Sequence, residues 1–185
     1  MIYVFLATGF EDIEALAPLD ILRRSGLQVE TVSITGEEIV TSAHGVGVVA
    51  DTLIEAVDFE DAEMIVLPGG MPGASNLDAC EVLRQGILSH CKAGKPLAAI
   101  CAAPLVYGHL GILNGRRATC YPGFESELKG AHYTAAIVEQ DGPFITGRGP
   151  AAAMEFGYTL AEWFVGKDAV KALRNGMIYT QLMSE

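Results

Sequence analysis

A cysteine stands where a predicted buried strand ends. The segment Lys95-Pro-Leu-Ala-Ala-Ile-Cys-Ala-Ala-Pro104 carries small apolar residues up to Cys101. Pro104 then falls in the first turn of a predicted helix, where its missing N–H is tolerated. A thiol at the start of a helix lies near the positive end of the helix dipole, which favours the thiolate and therefore reactivity. The alternative is that Cys101 is one more small core residue, since free cysteine is often buried.

A carboxyl group on an apolar helix face is the second candidate for chemistry. Glu11 and Asp12 are explained as first-turn acids that complement the dipole of the helix they begin. Glu14 instead lies close to Ala17 and Ile21 on the helix surface, and a carboxyl group in apolar surroundings needs a partner or a proton. A solvated glutamate at the edge of the apolar stripe is the competing interpretation.

Strand and helix patterns alternate along the chain. Strands are predicted over 2–7, 27–34, 64–67 and 97–100, helices over 11–25, 79–93, 104–110, 150–164 and 168–175, a hairpin over 38–49, a looser region over 117–131, and a strand pair at 135–139 and 143–146. Continuous apolar strands that alternate with helices predict an α/β fold with a parallel sheet covered on both faces. In such sheets the reactive groups gather at the carboxyl ends of the strands. Glu14, Gly70 and Cys101 all follow such ends.

The composition excludes several functional classes. The chain has 185 residues, with 12 lysine and arginine against 23 aspartate and glutamate, so its formal net charge is −11. No stretch concentrates basic residues, which argues against nucleic acid and anionic membranes as partners. The length predicts a single domain over 1–185, and no uninterrupted apolar run is long enough to span a membrane.

The cysteines and the first residues indicate the compartment. Cys80, Cys91, Cys101 and Cys120 show no metal-binding spacing and are typical of reduced cytosolic thiols. The opening segment, 1–9, lacks the basic region of a signal peptide and is predicted to be a strand. We therefore expect a cytoplasmic protein.

Six motifs, in order along the chain, resemble the ThiJ/PfpI superfamily, and within it the DJ-one branch. They are Gly9-Phe-Glu-Asp-Ile-Glu14, Asp20-Ile-Leu-Arg-Arg-Ser-Gly26, Val66-Leu-Pro-Gly-Gly70, Ala98-Ala-Ile-Cys-Ala-Ala-Pro104, His132-Tyr-Thr134 and Thr146-Gly-Arg-Gly-Pro150. The resemblance covers nearly the whole chain. It implies a flavodoxin-like three-layer sandwich, with a mostly parallel central sheet and a small accessory hairpin, that forms a homodimer.

The resemblance also implies roles for two side chains. Cys101 occupies the position of the family's nucleophile-elbow cysteine, and Glu14 that of a glutamate touching the sulfur. Because neighbouring negative charges disfavour each other, Glu14 is expected to be protonated near neutral pH and to donate a hydrogen bond to the sulfur. The backbone N–H groups of Gly70 and Ala102 are expected to form an oxyanion hole. A tight turn at the strand end also explains Gly69 and Gly70, and both explanations can hold.

Two residues differ from those of related proteins, and these differences narrow the range of activities expected of this chain. Tyr121 stands where human-type members of the branch have a histidine before a proline, which weakens any scheme that needs a histidine base. Ala102 follows the cysteine where the peptidase branch has histidine, and the His-x-Glu pair of class I glutamine amidotransferases is not evident. Protease and glutaminase activities are therefore disfavoured.

Other residues are expected to support the site. His44 stands where relatives often carry arginine, and we expect it to retain a pH-dependent contact with anions. Arg24 and Arg148 match family arginines that support the dimer and the pocket, although a surface charge or a structural ion pair explains them equally. Cys120 is a candidate resolving thiol for an oxidised Cys101, or a buried bystander. Structural or incidental roles are expected for His90, His109 and His132.

Two functions from different classes remain open. The first is an enzyme that needs no cofactor or metal, in which Cys101 attacks a small 2-oxoaldehyde such as methylglyoxal and yields a hydroxy acid. This glyoxalase- or deglycase-like activity is implied by the resemblance. The second is a stress-responsive redox sensor or chaperone whose signal is oxidation of Cys101. The expected partner is accordingly a small aldehyde or an oxidant.

Overall fold

The computed structural model describes residues 1–183, which form strands and helices in alternation. The strands are β1 (Ile2–Leu6), β2 (Val29–Ser33), β3 (Ile39–Thr41), β4 (Gly47–Val49), β5 (Thr52–Leu53), β6 (Met64–Leu67), β7 (Leu97–Ile100), β8 (Arg117–Ala118), β9 (His132–Tyr133), β10 (Val138–Asp141) and β11 (Phe144–Gly147). The helices are α1 (Asp12–Arg24), α2 (Gly73–Ala79), α3 (Glu81–Lys92), α4 (Pro104–His109), α5 (Ala153–Gly176) and α6 (Tyr179–Leu182). Within this part of the chain, no helix has the length and apolar character needed to cross a bilayer.

The central sheet has the order β10-β11-β7-β6-β1-β2-β5. Every pairing in it is parallel except the one between β10 and β11. Helix α1 packs against α5, and α2 packs against α3 and α4. Strands β3 and β4 form a separate antiparallel hairpin. The predicted α/β sandwich with its accessory hairpin is confirmed.

Three neighbouring strands direct the candidate residues to one edge of the sheet. Strands β1, β6 and β7 are buried along their whole length, as expected of apolar runs covered on both faces. Val4 pairs with Val66, and Val66 pairs with Ala98, so the three strands lie in register. Their carboxyl ends therefore lie side by side, and the loops that follow them meet there.

Helix α1 carries the predicted glutamate, but its buried face differs from the predicted one. Glu11 is the N-cap, and its carboxylate accepts a hydrogen bond from the Glu14 N–H (2.8 Å). Ile13 recurs with Ala17 and Ile21 at helical spacing, which predicts that it is buried, yet it is 52% exposed, whereas Pro18 is buried. Pro18 faces Gly157 of α5, where an added Cβ would lie 3.0 Å from the Pro18 Cα. This close approach of α1 and α5 turns Glu14 inward and Ile13 outward.

Several predicted boundaries were wrong. The helix predicted over 79–93 is α3, which begins two residues later because Cys80 adopts an extended conformation, and the short helix α2 before it was not predicted. The strand predicted at 135–139 begins three residues later, since Ala135 has a positive φ of 54°. The two last predicted helices are joined in α5, with one non-helical residue, Gly166, at their junction.

His109 anchors the helix that follows the cysteine. Its Nδ1 lies 2.7 Å from the Asp78 carboxylate, and its Nε2 lies 2.8 Å from the Glu127 carboxylate. The hydrogen bond with Glu127 has the largest effect and the one with Asp78 the next largest, and both raise the pKa of the imidazole. The charged ring therefore ties α4 to α2 and to the loop around Glu127.

We expect this anchor to stabilise the fold less as the pH rises. Because the folded-state pKa of His109 is raised, its contribution is fully present below the unfolded pKa of about 6.5 and is lost as the pH rises through the folded value. In urea unfolding, His109→Gln should cost on the order of 1 kcal/mol at acidic pH and less at alkaline pH. The control is His132→Gln, a change at an exposed histidine. A cost for His109→Gln that does not vary with pH would contradict the prediction.

Candidate active site

Cys101 lies at a sharp turn between β7 and α4. Its φ of +65° is a left-handed conformation that is costly for a residue with a side chain and is typical of strained functional turns. Two backbone hydrogen bonds hold the turn: the Cys101 N–H donates to the Gly147 carbonyl (2.9 Å), and the Tyr121 N–H donates to the Cys101 carbonyl (2.8 Å). The residue is 8% exposed. The turn thus combines a strained backbone at Cys101 with a thiol that is mostly withdrawn from solvent.

Glu14 reaches this turn from α1 and is fully buried, which excludes a solvated glutamate. Its Oε2 accepts a hydrogen bond from the Gly69 N–H (3.0 Å). A Cβ on Gly69 would lie 2.6 Å from both Glu14 Oε2 and Cys101 Cβ, so the absent side chain leaves room for the pair to meet. The other carboxyl oxygen, Oε1, receives no hydrogen bond from N–H or O–H groups within 1–183. A negative charge there would be poorly solvated, which favours a proton on Glu14.

The electrostatics of Glu14 agree with a proton held near neutral pH. Burial raises the pKa of its carboxyl group to about 7, and the charge of Glu11 adds to the increase. The Cys101 side chain and the Gly69 N–H oppose it. Desolvation therefore prevails over two hydrogen bonds, as in other carboxyl groups held in apolar sites.

The Cys101 thiol differs from the expectation based on the helix start. Burial is the largest effect and raises its pKa, and an ionised Glu14 raises it further. The N–H groups of Gly70 and Ala102 lower it, but by less. The predicted lowering was wrong for the thiol taken alone, because a sequence does not show how far the sulfur is withdrawn from water. The contribution of the Glu14 charge disappears when Glu14 is protonated, so the two groups share one negative charge.

The structure brings the two predicted N–H donors to the sulfur. Gly70 and Ala102 both act on it through their backbone N–H groups. Gly70 has a φ of +87°, and a Cβ there would lie 2.5 Å from the Glu11 N and 2.6 Å from the Gly9 carbonyl oxygen. A side chain would displace the loop that presents the N–H, so glycine is required at this position.

His44 is paired with a carboxylate through one of its two ring nitrogens. Its Nδ1 lies 2.6 Å from Asp12, whose other oxygen accepts a hydrogen bond from the Ser42 hydroxyl (2.6 Å). The hydrogen bond and the charge of Asp12 raise the pKa of His44. The side chains of Glu11, Asp12 and His44 also lie close enough together to hold a cation. These contacts attach the β3–β4 hairpin to the start of α1.

The two predicted arginines lie in different surroundings. Arg148 donates to the Ala135 carbonyl from its side chain and to the Ile137 carbonyl from its backbone (3.0 Å), and it lines a cavity together with Tyr121. Arg24 pairs with Asp20 one turn earlier on the exposed face of α1 (2.6 Å). Arg148 therefore borders the site, whereas the contacts of Arg24 are those of a surface ion pair.

Cys120, His90 and His132 are not part of the site around Cys101. Cys120 is fully buried, and burial raises its pKa to about 12, so it is a poor nucleophile in the folded chain. His90 is not incidental at the end of a polar helix: it is buried, its Nε2 lies 3.0 Å from the Pro96 carbonyl, and burial lowers its pKa to about 4. His132 is exposed at β9.

Sequence reasoning missed two parts of this site. It treated Gly69 as part of a turn, although the Gly69 N–H holds Glu14 and the Gly69 carbonyl accepts from the Glu11 N–H (2.9 Å). It also missed the link from Asp12 to His44. The Gly-Gly pair at the strand end was the available signal for the first, whereas residues 30 or more positions apart offered none for the second.

A comparison with protein-family models places this geometry in a known group. The model described as the DJ-1/PfpI family matches residues 1–163. The chain belongs to the DJ-1/PfpI family. Its DJ-1-type fold is shared with the solved structure of oxidized Toxoplasma gondii DJ-1, which is 35% identical and matches with a TM-score of 0.92 over 96% of this chain and 97% of that one.

Two relatives show the kinds of protein to which this chain is similar. Protein DJ-1 homolog B of Arabidopsis thaliana is 40% identical over 165 residues, which are 88% of this chain and 38% of that protein. The chain spans about two fifths of the length of the two Arabidopsis relatives it matches. A deglycase of Pyrococcus abyssi is 31% identical over 154 residues, 80% of this chain and 90% of that protein. The family thus contains both proteins named for DJ-1 and a protein named as a deglycase.

Proposed function

We propose that this DJ-1-type protein converts small 2-oxoaldehydes into 2-hydroxy acids at Cys101, without a cofactor. One observation supports this most: a fully buried carboxyl group, with its pKa raised to about 7, lies against a strained cysteine whose sulfur faces two backbone N–H groups. A nucleophile, a proton carrier and donors for an oxyanion are the groups that addition to an aldehyde requires. The deglycase among the relatives supports the same chemistry.

The reactive form carries one proton between Cys101 and Glu14. When that proton is on Glu14, the sulfur is a thiolate facing the N–H groups of Gly70 and Ala102. The sulfur attacks the aldehyde carbon, the N–H groups hold the oxygen as it becomes negative, and Glu14 gives this oxygen its proton. The product is a hemithioacetal, and Glu14 is left as a carboxylate able to act as a base.

The remaining steps need only proton transfer and water. Glu14 removes the hydrogen from the former aldehyde carbon, and a proton is returned to the neighbouring carbonyl carbon, so the aldehyde carbon is oxidised while the ketone carbon is reduced. The resulting thioester is hydrolysed by water, which releases the 2-hydroxy acid and restores the thiol. No external oxidant or reductant enters the balance.

A redox sensor or chaperone is the second candidate. The same two N–H groups and a protonated Glu14 would stabilise the oxygens of an oxidised Cys101 sulfur. The solved structure of an oxidized DJ-1 from Toxoplasma gondii favours this alternative. The homodimer, which rests on the family resemblance, and the cytoplasmic location, which rests on cysteines typical of reduced cytosolic thiols, belong to the proposal as well.

Cys101→Ala distinguishes the two functions. If the enzyme proposal is correct, the wild type should form lactate from methylglyoxal and Cys101→Ala should lose at least about a thousandfold in kcat/KM, since the nucleophile is removed. Cys120→Ala is the matched control and should retain turnover. Turnover that survives Cys101→Ala would eliminate the enzyme. Absent turnover in the wild type, with selective peroxide oxidation at Cys101, would favour the sensor.

A further inference from the structure

An apolar cavity of about 200 Å³ is lined in part by Tyr121, whose backbone N–H donates to the Cys101 carbonyl. Its lining, almost entirely apolar, includes Tyr121, Pro122, Ile137, Arg148, Pro150 and Ala151. Tyr121 and Ile137 are large side chains that remain 45% and 57% exposed, so they hold apolar surface open to a ligand. The cavity is smaller than the roughly 300–1,000 Å³ of drug-sized sites, which fits a single ring or a branched alkyl group.

Cys101 itself fixes the position of both walls. The Tyr121 N–H donates to the Cys101 carbonyl, which attaches the wall formed by Tyr121 and Pro122. The Cys101 N–H donates to the Gly147 carbonyl, directly before the wall that runs from Arg148 to Ala152. The walls also approach each other, since a Cβ on Gly149 would lie 3.1 Å from the Tyr121 ring. The cavity is therefore held in a constant relation to the reactive turn.

The one charged residue of the lining does not make the cavity polar. Arg148 donates from Nη1 to the Ala135 carbonyl, which directs its charged end to the backbone and leaves its methylene groups for the cavity. A polar or anionic substituent would consequently find little to bind there.

We infer that this cavity binds the substituent of the 2-oxoaldehyde and selects aromatic or branched aliphatic groups over methyl. The inference rests on the proposed function and deepens it by naming the substrate class. Apolar pockets distinguish a large group from a small one by about tenfold or more, because the larger group buries more surface. Phenylglyoxal should therefore exceed methylglyoxal in kcat/KM by about tenfold.

The inference is tested by the ratio of kcat/KM for phenylglyoxal to that for methylglyoxal. Ile137→Ser, which removes apolar lining, and Ala151→Phe, which fills the cavity, should each lower the ratio by about tenfold. Ile39→Ser is the matched control, because Ile39 is an equally exposed isoleucine on the hairpin strand β3. Melting temperatures establish that all variants are folded.

A second measurement separates failure of this inference from failure of the proposed function. Phenacyl bromide and bromoacetone carry the same two substituents, and each alkylates Cys101 as the sulfur displaces bromide. Rates are divided by those of a free thiol to remove intrinsic reactivity. If the wild type turns over neither aldehyde but still reacts preferentially with phenacyl bromide, the proposed enzymatic function is wrong and the cavity still binds the larger substituent. Ratios that match the free thiol, or that neither substitution changes, would overturn the assignment whether or not turnover is seen.

Discussion

As the pH rises from 4.5 to 8, the free energy of unfolding of Glu14→Gln is expected to increase by about 3 kcal/mol relative to that of the wild type. Burial raises the pKa of Glu14 from 4.5 to about 7, so between these values the folded chain holds a proton that the unfolded chain has lost. The folded wild type is therefore destabilised as the pH rises through this window. Glutamine keeps the shape of the side chain and has no such proton.

Urea unfolding of both proteins at intervals of one pH unit measures this difference. The buried amide brings a cost of its own, which shifts the whole curve without changing its dependence on pH. Glu55→Gln provides the control, because Glu55 is exposed on the surface. Parallel curves for the wild type and Glu14→Gln would show that Glu14 is ionised in the folded protein at acidic pH.

Gly69→Ala is expected to cause the largest loss of activity among changes outside the reacting pair. Its Cβ would lie 2.6 Å from Glu14 Oε2, 2.6 Å from Cys101 Cβ and 2.8 Å from the Ile100 carbonyl oxygen, and real Cβ atoms do not approach so closely. The carboxyl group and the sulfur must separate. We expect alkylation and turnover at Cys101 to fall at least about a hundredfold, since misplacement by about 1 Å has such an effect.

The same substitution should destabilise the fold by about 1–3 kcal/mol, the usual cost of overpacking. The control is Gly176→Ala at the end of α5, where an added Cβ meets nothing within 4 Å and the change should be close to neutral in both assays. Normal reactivity of Cys101 in a folded Gly69→Ala protein would show that the close approach of Glu14 is not needed.

Local patterns predicted the frame of the site. Residues 97–100 are apolar without interruption, and such a run allows little but a buried parallel strand, so the position of Cys101 at the strand end followed. The order of the strands brought Gly70 and Cys101 to one edge, as expected. The family resemblance then added Glu14, whose burial the helical pattern alone left undecided.

The errors arose where tertiary contacts override local pattern. Ile13 looks like a core residue on a helical wheel, but the approach of Pro18 to Gly157 rotates α1 and exposes it. The pKa of the Cys101 thiol was predicted from the helix start, yet desolvation by the surrounding loops exceeds that effect. His44 gave no indication of its partner, because Asp12 lies 32 residues away.

The central claim is that Cys101 and a protonated Glu14 share one negative charge. The most direct test is the ultraviolet absorbance of the Cys101 thiolate against pH, with Cys101→Ala subtracted, in the wild type, Glu14→Gln and Glu14→Leu. The account predicts that the wild-type thiolate is already present near neutral pH, with the proton on Glu14. It also predicts that Glu14→Gln titrates about one unit or more below Glu14→Leu, because only the amide donates a hydrogen bond to the sulfur. A wild type that forms no thiolate near neutral pH, or glutamine and leucine variants that titrate together, would contradict it.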